Sequence, residues 1–93
     1  MQIKSNSIVG IDLTGKILVL KEVQLSEEYR TVGNRLWRAS GGFGCSPDAT
    51  CRALFCECLS DGEKSRWYRY YFEGWISEDQ ADALMVKERV LKC

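Results

Sequence analysis

The sequence predicts an α+β fold: a small antiparallel sheet, or partly open barrel, of 4-5 strands with one C-terminal helix. Three observations carry this expectation. Asp61-Gly62 lies between two strand-like runs, the best short-range sign of a tight hairpin. Residues 52–60 divide by alternation into Ala53, Phe55, Glu57 and Leu59 on one side and Leu54, Cys56 and Cys58 on the other, as a strand requires. Ser77 is followed three positions later by Gln80, ahead of an apolar pattern at helical spacing. At 93 residues, the chain is expected to form a single domain spanning 1–93. A chain of this size buries roughly 60–65% of the surface that it exposes when unfolded, so its core is thin and leaves no room for a deep cleft.

In chain order, residues 8–11 read as a short strand and Asp12-Leu13-Thr14-Gly15 as a turn. Residues 16–25, rich in Ile, Leu and Val, read as the returning strand of a first hairpin. Residues 26–33 are polar, a loop or a single helical turn. Residues 34–40 read as a second long strand, with Leu36, Arg38 and Ser40 on one side and Arg35, Trp37 and Ala39 on the other; the segment alone leaves its buried face open, with Trp37 favouring its own side. Residues 41–48 hold three of the eight glycines and the only proline, which makes them a defined loop. Residues 52–60 form a third strand and 64–71 its hairpin partner. In the helix, Ser77 caps the first turn, Glu78 and Asp79 sit at the positive end of the dipole, and Ile76 staples onto Ala81. Leu84 and Leu91 lie on one side of it, and Ala83, Val86 and Val90 mark an adjoining apolar stripe. Lys87, Arg89 and Lys92 suit its C-terminal end.

Composition narrows the function classes. Thirteen basic and thirteen acidic residues cancel, which argues against a non-specific nucleic-acid binder driven by phosphate neutralisation. No apolar run is long enough to span a bilayer and residues 1–6 lack a signal-peptide pattern, so a cytoplasmic protein without membrane contact is expected. Histidine is absent, which removes the commonest general base and the commonest metal ligand. No enzyme, no cofactor and no metal are therefore expected. The carboxylates sit mostly at turns and at the helix start, and no pair of them announces a site.

The five cysteines are Cys45, Cys51, Cys56, Cys58 and Cys93. A cysteine-ligated zinc module would need ligand pairs two to four residues apart on tight turns, whereas Cys56 and Cys58 are mid-strand with one residue between them. Core packing as small hydrophobes explains that pair better. Cys45 and Cys51 flank the glycine loop, close enough in sequence to pair, although a reducing cytoplasm disfavours a disulfide. The glycine loop itself lacks the Gly-Lys-Ser/Thr ending and the following helix that a phosphate cradle needs, and reads as a strand connection presenting Phe43. Residues 64–75 hold six of the ten aromatic rings, with Arg66 and Arg69 among them. Alternation sends Trp67, Arg69 and Tyr71 to one face and Arg66, Tyr68 and Tyr70 to the other, more rings than so small an interior can hide. Tyr, Trp and Arg are the residues enriched at protein–protein hot spots. The expected partner-binding residues are Phe43, Arg66, Trp67, Tyr68, Arg69 and Tyr70. The alternative is a nucleic-acid-binding β domain that uses the same stretch to stack unpaired bases.

The segments Leu36-Trp37-Arg38-Ala39-Ser40-Gly41-Gly42-Phe43-Gly44, Ser60-Asp61-Gly62-Glu63 and Phe72-Glu73-Gly74, which cover about the middle half of the chain, resemble uncharacterised small accessory proteins of bacterial phages and plasmids. The resemblance implies an accessory role on a mobile genetic element, binding a host or element protein. Inhibitors of a host defence complex, anti-CRISPR-like, are one such class.

Overall fold

The computed structural model describes residues 3–49 and 51–92, with side chains described as far as Glu88. Five strands, β1 (Ile17–Leu20), β2 (Leu36–Gly41), β3 (Ala53–Cys58), β4 (Lys64–Tyr68) and β5 (Phe72–Ile76), form one open sheet in the order β4-β3-β2-β1-β5, every pair antiparallel. A one-turn helix α1 (Val32–Arg35) precedes β2, and α2 (Glu78–Lys92) ends the described chain. The expected α+β class is the one found, as an open sheet and not a barrel. No helix among the described residues is long and apolar enough to cross a membrane.

The strand runs that hold are those with local reasons to hold. β3 buries Leu54, Cys56 and Cys58 and exposes Phe55 and Glu57, the period-2 pattern of a half-solvated strand. Its turn into β4 places Gly62 at φ +75°, a conformation open to glycine at little cost, and Asp61 Oδ1 accepts from the Glu63 N–H at 2.9 Å. β1 lies between β2 and β5 with an apolar core against each of its faces, and all four of its residues are buried.

The expected first hairpin is absent. Residues 8–11 are not a strand, and β1 stops at Leu20 instead of running to Leu25. The chain beyond Leu20 turns in a 3-10 segment, Glu22–Gln24, fixed by a long-range pair of arginines. Arg35 Nε donates to Leu20 O and Arg30 Nε to both Glu22 O and Leu25 O, all at 2.9 Å. Asn34 and Arg35 belong to α1 and not to β2, because the Thr31 hydroxyl accepts from the Asn34 N–H and caps a helical turn there.

Each face of the sheet has its own core. On one, Leu18, Leu20, Trp37, Leu54, Cys56 and Phe72 pack beneath the loops that carry Leu13 and Cys45. The Trp37 side of β2, which the sequence favoured without deciding, is buried, and so is Leu36 on the other face, where it meets Ile17, Val19, Ile76 and Ala81 of α2. Each such side chain contributes about 1.5–3 kcal/mol when fully buried. The Ser77 hydroxyl accepts from the Gln80 N–H at 3.1 Å, as the cap predicts, while the Gln80 amide donates to Lys4 O. Ile76 and Ala81 share the α2 core, as the staple expects. The stripe expected at Ala83 and Val86 faces water instead. The packed line is Ala81, Leu84, Met85 and Glu88, the i, i+3, i+4, i+7 set that begins at the stapled residue; Glu88 accepts the Gly33 N–H at 2.8 Å. The expected placements of Arg89, Val90, Leu91 and Lys92 concern side chains outside the described residues.

Two predictions arise here. Gly74 has no space for a side chain: a Cβ there would strike the Ser5 hydroxyl and lie 2.6 Å from Asn6 O. Asn6 is what covers the β5 edge, exchanging backbone hydrogen bonds with Trp75 at 2.8 and 2.9 Å. Gly74→Ala is expected to push residues 5–6 off that edge, costing about 1–3 kcal/mol in urea unfolding and speeding amide exchange at Trp75. Unchanged exchange at Trp75 would contradict this assignment.

The second prediction concerns pH. The Arg38 guanidinium meets Glu78 in a two-point pair, Nη2 to Oε2 at 3.0 Å, and this hydrogen bond holds the Glu78 carboxyl below its ordinary value. The Thr14 backbone N–H does the same for Asp12 through a 2.8 Å bond. Carboxyls depressed in the folded state contribute stability that is complete above their unfolded pKa and is lost as pH falls through the folded one. The urea midpoint should therefore hold from pH 7 to about pH 5 and fall below about pH 4. Glu78→Gln should shrink that fall, and an equal fall in both proteins would refute the pairing as its source.

Candidate interaction surface

A helix about 10 Å across spans about two strand spacings of 4.7–4.9 Å, enough for three strands and no more. Helix α2 spends its apolar line on β1, β2 and β5, so among the described residues the same face of β3 and β4 lies bare. Register fixes what it carries. Arg38 pairs with Glu57, Glu57 with Lys64, Phe55 with Arg66 and Ala53 with Tyr68, and residues directly opposed across an antiparallel pair point to the same face. A solvated sheet face is normally polar. Here Phe55 is 53% exposed and Tyr68 44%. Phe55, Glu57, Lys64, Arg66 and Ser40 line a groove of about 400 Å³.

The bare face continues into its neighbours. Tyr68 stacks on Tyr70 at 5.6 Å between ring centroids and 17° between planes, and Tyr71 meets both rings edge-on. Tyr70 is half exposed, and its hydroxyl titrates above the ordinary tyrosine value because of its hydrogen bond with Tyr71. On the other flank the loop after β2 abuts Phe55, since a Cβ on Gly42 would lie 3.2 Å from the Phe55 ring. That loop turns through a 3-10 segment, Phe43–Cys45, and projects Phe43 at 80% exposure, with the Arg52 guanidinium 5.9 Å from its ring centre.

Of the six residues expected to meet a partner, four lie on this surface: Phe43, Arg66, Tyr68 and Tyr70. Arg69 is a correction. It keeps to the Trp67 and Tyr71 side, as the alternation has it, but loops cover that side, and the side chain runs inward to 4% exposure. Its Nη1 donates to Gly44 O at 3.0 Å and Ser46 O at 2.9 Å, and its Nη2 to Ile11 O at 2.8 Å and to Ile8 O. Every one of these acceptors belongs to a loop backbone, so Arg69 ties the 8–11 and 43–46 segments to the sheet and presents no charge outside. Burial pulls its pKa below the ordinary arginine value, yet an arginine stays protonated in any working range.

Trp67 also lies away from the bare face. It is half-buried on the opposite side, edge-on to Trp37 at 5.5 Å and to Tyr71 at 5.9 Å. Its buried indole N–H has no hydrogen-bond partner among the described residues. Of the six rings in residues 64–75, Phe72 is buried and Trp67, Tyr71 and Trp75 are half-buried, which leaves Tyr68 and Tyr70 exposed. Phe55 and Arg52 were not expected at a site. The signal for Phe55 was present in the alternation of β3, because assigning the thiol side inward puts Phe55 outward.

Cys56 and Cys58 pack as small apolar side chains, with Cys58 Sγ 3.2 Å from Gly33 O. Cys45 is buried under the glycine loop while Cys51 lies at the surface. Among the described residues, no group of three or more Cys, Asp or Glu side chains is placed to hold a metal ion. No family model matches the chain, and neither a curated protein nor a solved structure matches it.

Proposed function

We propose that this domain is a non-enzymatic binding protein that docks onto a larger protein through the bare face of β3 and β4. The observation that supports it is the pair of exposed rings Phe55 and Tyr68 beside Arg66 on a sheet face that α2 leaves uncovered, continued by exposed Tyr70 and by Phe43 with Arg52 on the flanking turns. Large rings in this setting supply contact area at little entropic cost, and with arginine they are the usual anchors of protein interfaces. The buried thiols Cys45, Cys56 and Cys58 fit action in a reducing cytoplasm. The resemblance to small accessory proteins of phages and plasmids supports the finer reading, in which the partner is a host defence complex and the domain inhibits it by covering a working surface.

The test is capture of a partner from host lysate by the wild-type domain and by a Phe55→Ser, Tyr68→Ser variant. Both sites are surface positions, so the variant should unfold within about 1 kcal/mol of wild type. Affinity should fall at least about 30-fold, the loss of one hot spot of about 2 kcal/mol. Recovery of no stoichiometric protein would overturn the reading. Arg66, Arg52 and Lys64 beside stacked rings also favour the nucleic-acid reading, and binding of single-stranded oligonucleotides that weakens steeply with salt would establish that one in its place.

A further inference from the structure

The two edges of the sheet are treated differently. At β5 the edge is covered by Asn6, which exchanges both backbone bonds with Trp75. At β4 it is open. The hydrogen bonds Cys58 N–H to Glu63 O and Arg69 N–H to Arg52 O, together with the β3–β4 register, fix which backbone groups point inward. Ser65 and Trp67 face β3. The N–H and C=O groups of Lys64 and Arg66, and the N–H of Tyr68, therefore point outward, because backbone direction alternates along an antiparallel strand. The Tyr68 carbonyl is engaged at the start of the 3-10 turn that follows. An open edge is a template for one more strand.

Charge selects the strand. A second copy pairing antiparallel about Arg66 would set Arg66 against Arg66, and like charges directly opposite one another are destabilising. An acidic strand would meet Arg66 and Lys64 with carboxylates instead, beside the exposed Tyr68 ring. Resting on the protein-binding reading above, we infer that β4 receives an extended acidic segment of the partner as a sixth, antiparallel strand. Its side chains, read from its N-terminus, would be an aromatic opposite Tyr68, a carboxylate opposite Arg66 and a carboxylate opposite Lys64, each separated by one residue turned to the Trp67 side.

A blocked seven-residue peptide tests this, reading threonine, tyrosine, threonine, glutamate, threonine, glutamate, threonine, with a control carrying lysine for both glutamates. Amide exchange is followed residue by residue on the intact domain. At saturating acidic peptide, the amides of Lys64, Arg66 and Tyr68 are expected to exchange at least tenfold more slowly, while those of Ser65 and Trp67 keep their rates. Arg66→Glu should weaken the acidic peptide at least tenfold, and the lysine peptide should bind wild type at least tenfold more weakly. Binding that slows none of the three outward amides would overturn strand addition while leaving docking on the bare face intact. No binding of the acidic peptide at millimolar concentration, or sedimentation as a dimer with those amides already protected, would overturn it as well. Loss of partner capture in the Phe55→Ser, Tyr68→Ser variant separately tests the reading on which it rests.

Discussion

Arg69→Met will cost about 3–5 kcal/mol of unfolding free energy, a large part of the roughly 5–15 kcal/mol that a domain of this kind possesses. Methionine fills similar volume but takes the donor from the backbone carbonyls of Ile8, Ile11 and Gly44, while the exposed Ser46 carbonyl keeps the Ala49 N–H at 3.0 Å. Buried acceptors deprived of partners lose the whole of their hydration without return. Arg69→Lys should recover only part of the loss, since an ammonium has three donors and no planar fork. Urea unfolding measures both, and amide exchange at Leu13, whose N–H bonds to Cys45 O at 3.0 Å, should quicken as the two loops separate. A loss under about 1 kcal/mol for methionine would mean that these carbonyls find water instead.

The second large effect is at Gly44. A Cβ there would lie 2.6 Å from Arg52 O and 2.7 Å from the Ala53 carbonyl carbon, and both are backbone atoms in or beside β3. A flexible side chain could swing aside, but a strand in the middle of a ladder cannot. Gly44→Ala is expected to cost about 3 kcal/mol, the upper end for overpacking, and to displace Phe43. Because Arg69 binds the Gly44 carbonyl, the two changes share one contact. The double variant should cost less than the sum of the singles by about 1 kcal/mol. Strict additivity would show that the loop is held in some other way.

How far the sequence reveals this molecule depends on how far apart the deciding residues are. The β3–β4 hairpin and the cap of α2 were legible because period-2 alternation, Asp61-Gly62 and Ser77 act within a few residues. The end of β1 was not, because arginines 10 to 15 positions beyond Leu20 decide it. Arg69 misled for the same reason. In a run of aromatic and basic residues it reads as exposed, yet the loops of residues 8–11 and 43–46 fold over the face it shares with Trp67. Its acceptors lie as many as 61 positions away and belong to backbone, which has no signature in composition. The bare half of the sheet was legible only in part: the surplus of rings predicted exposure somewhere, while the reach of α2 decided where.

The burial of the thiols has a practical consequence. The Cys56 thiol is pushed up to about 12 by burial, so in the native protein almost none of it is thiolate and no reagent can approach what little there is. Its alkylation can then proceed only through molecules whose interior has momentarily opened. Mass spectrometry of Cys56 modification over time would serve as a built-in clock for such opening, with no probe added to the chain.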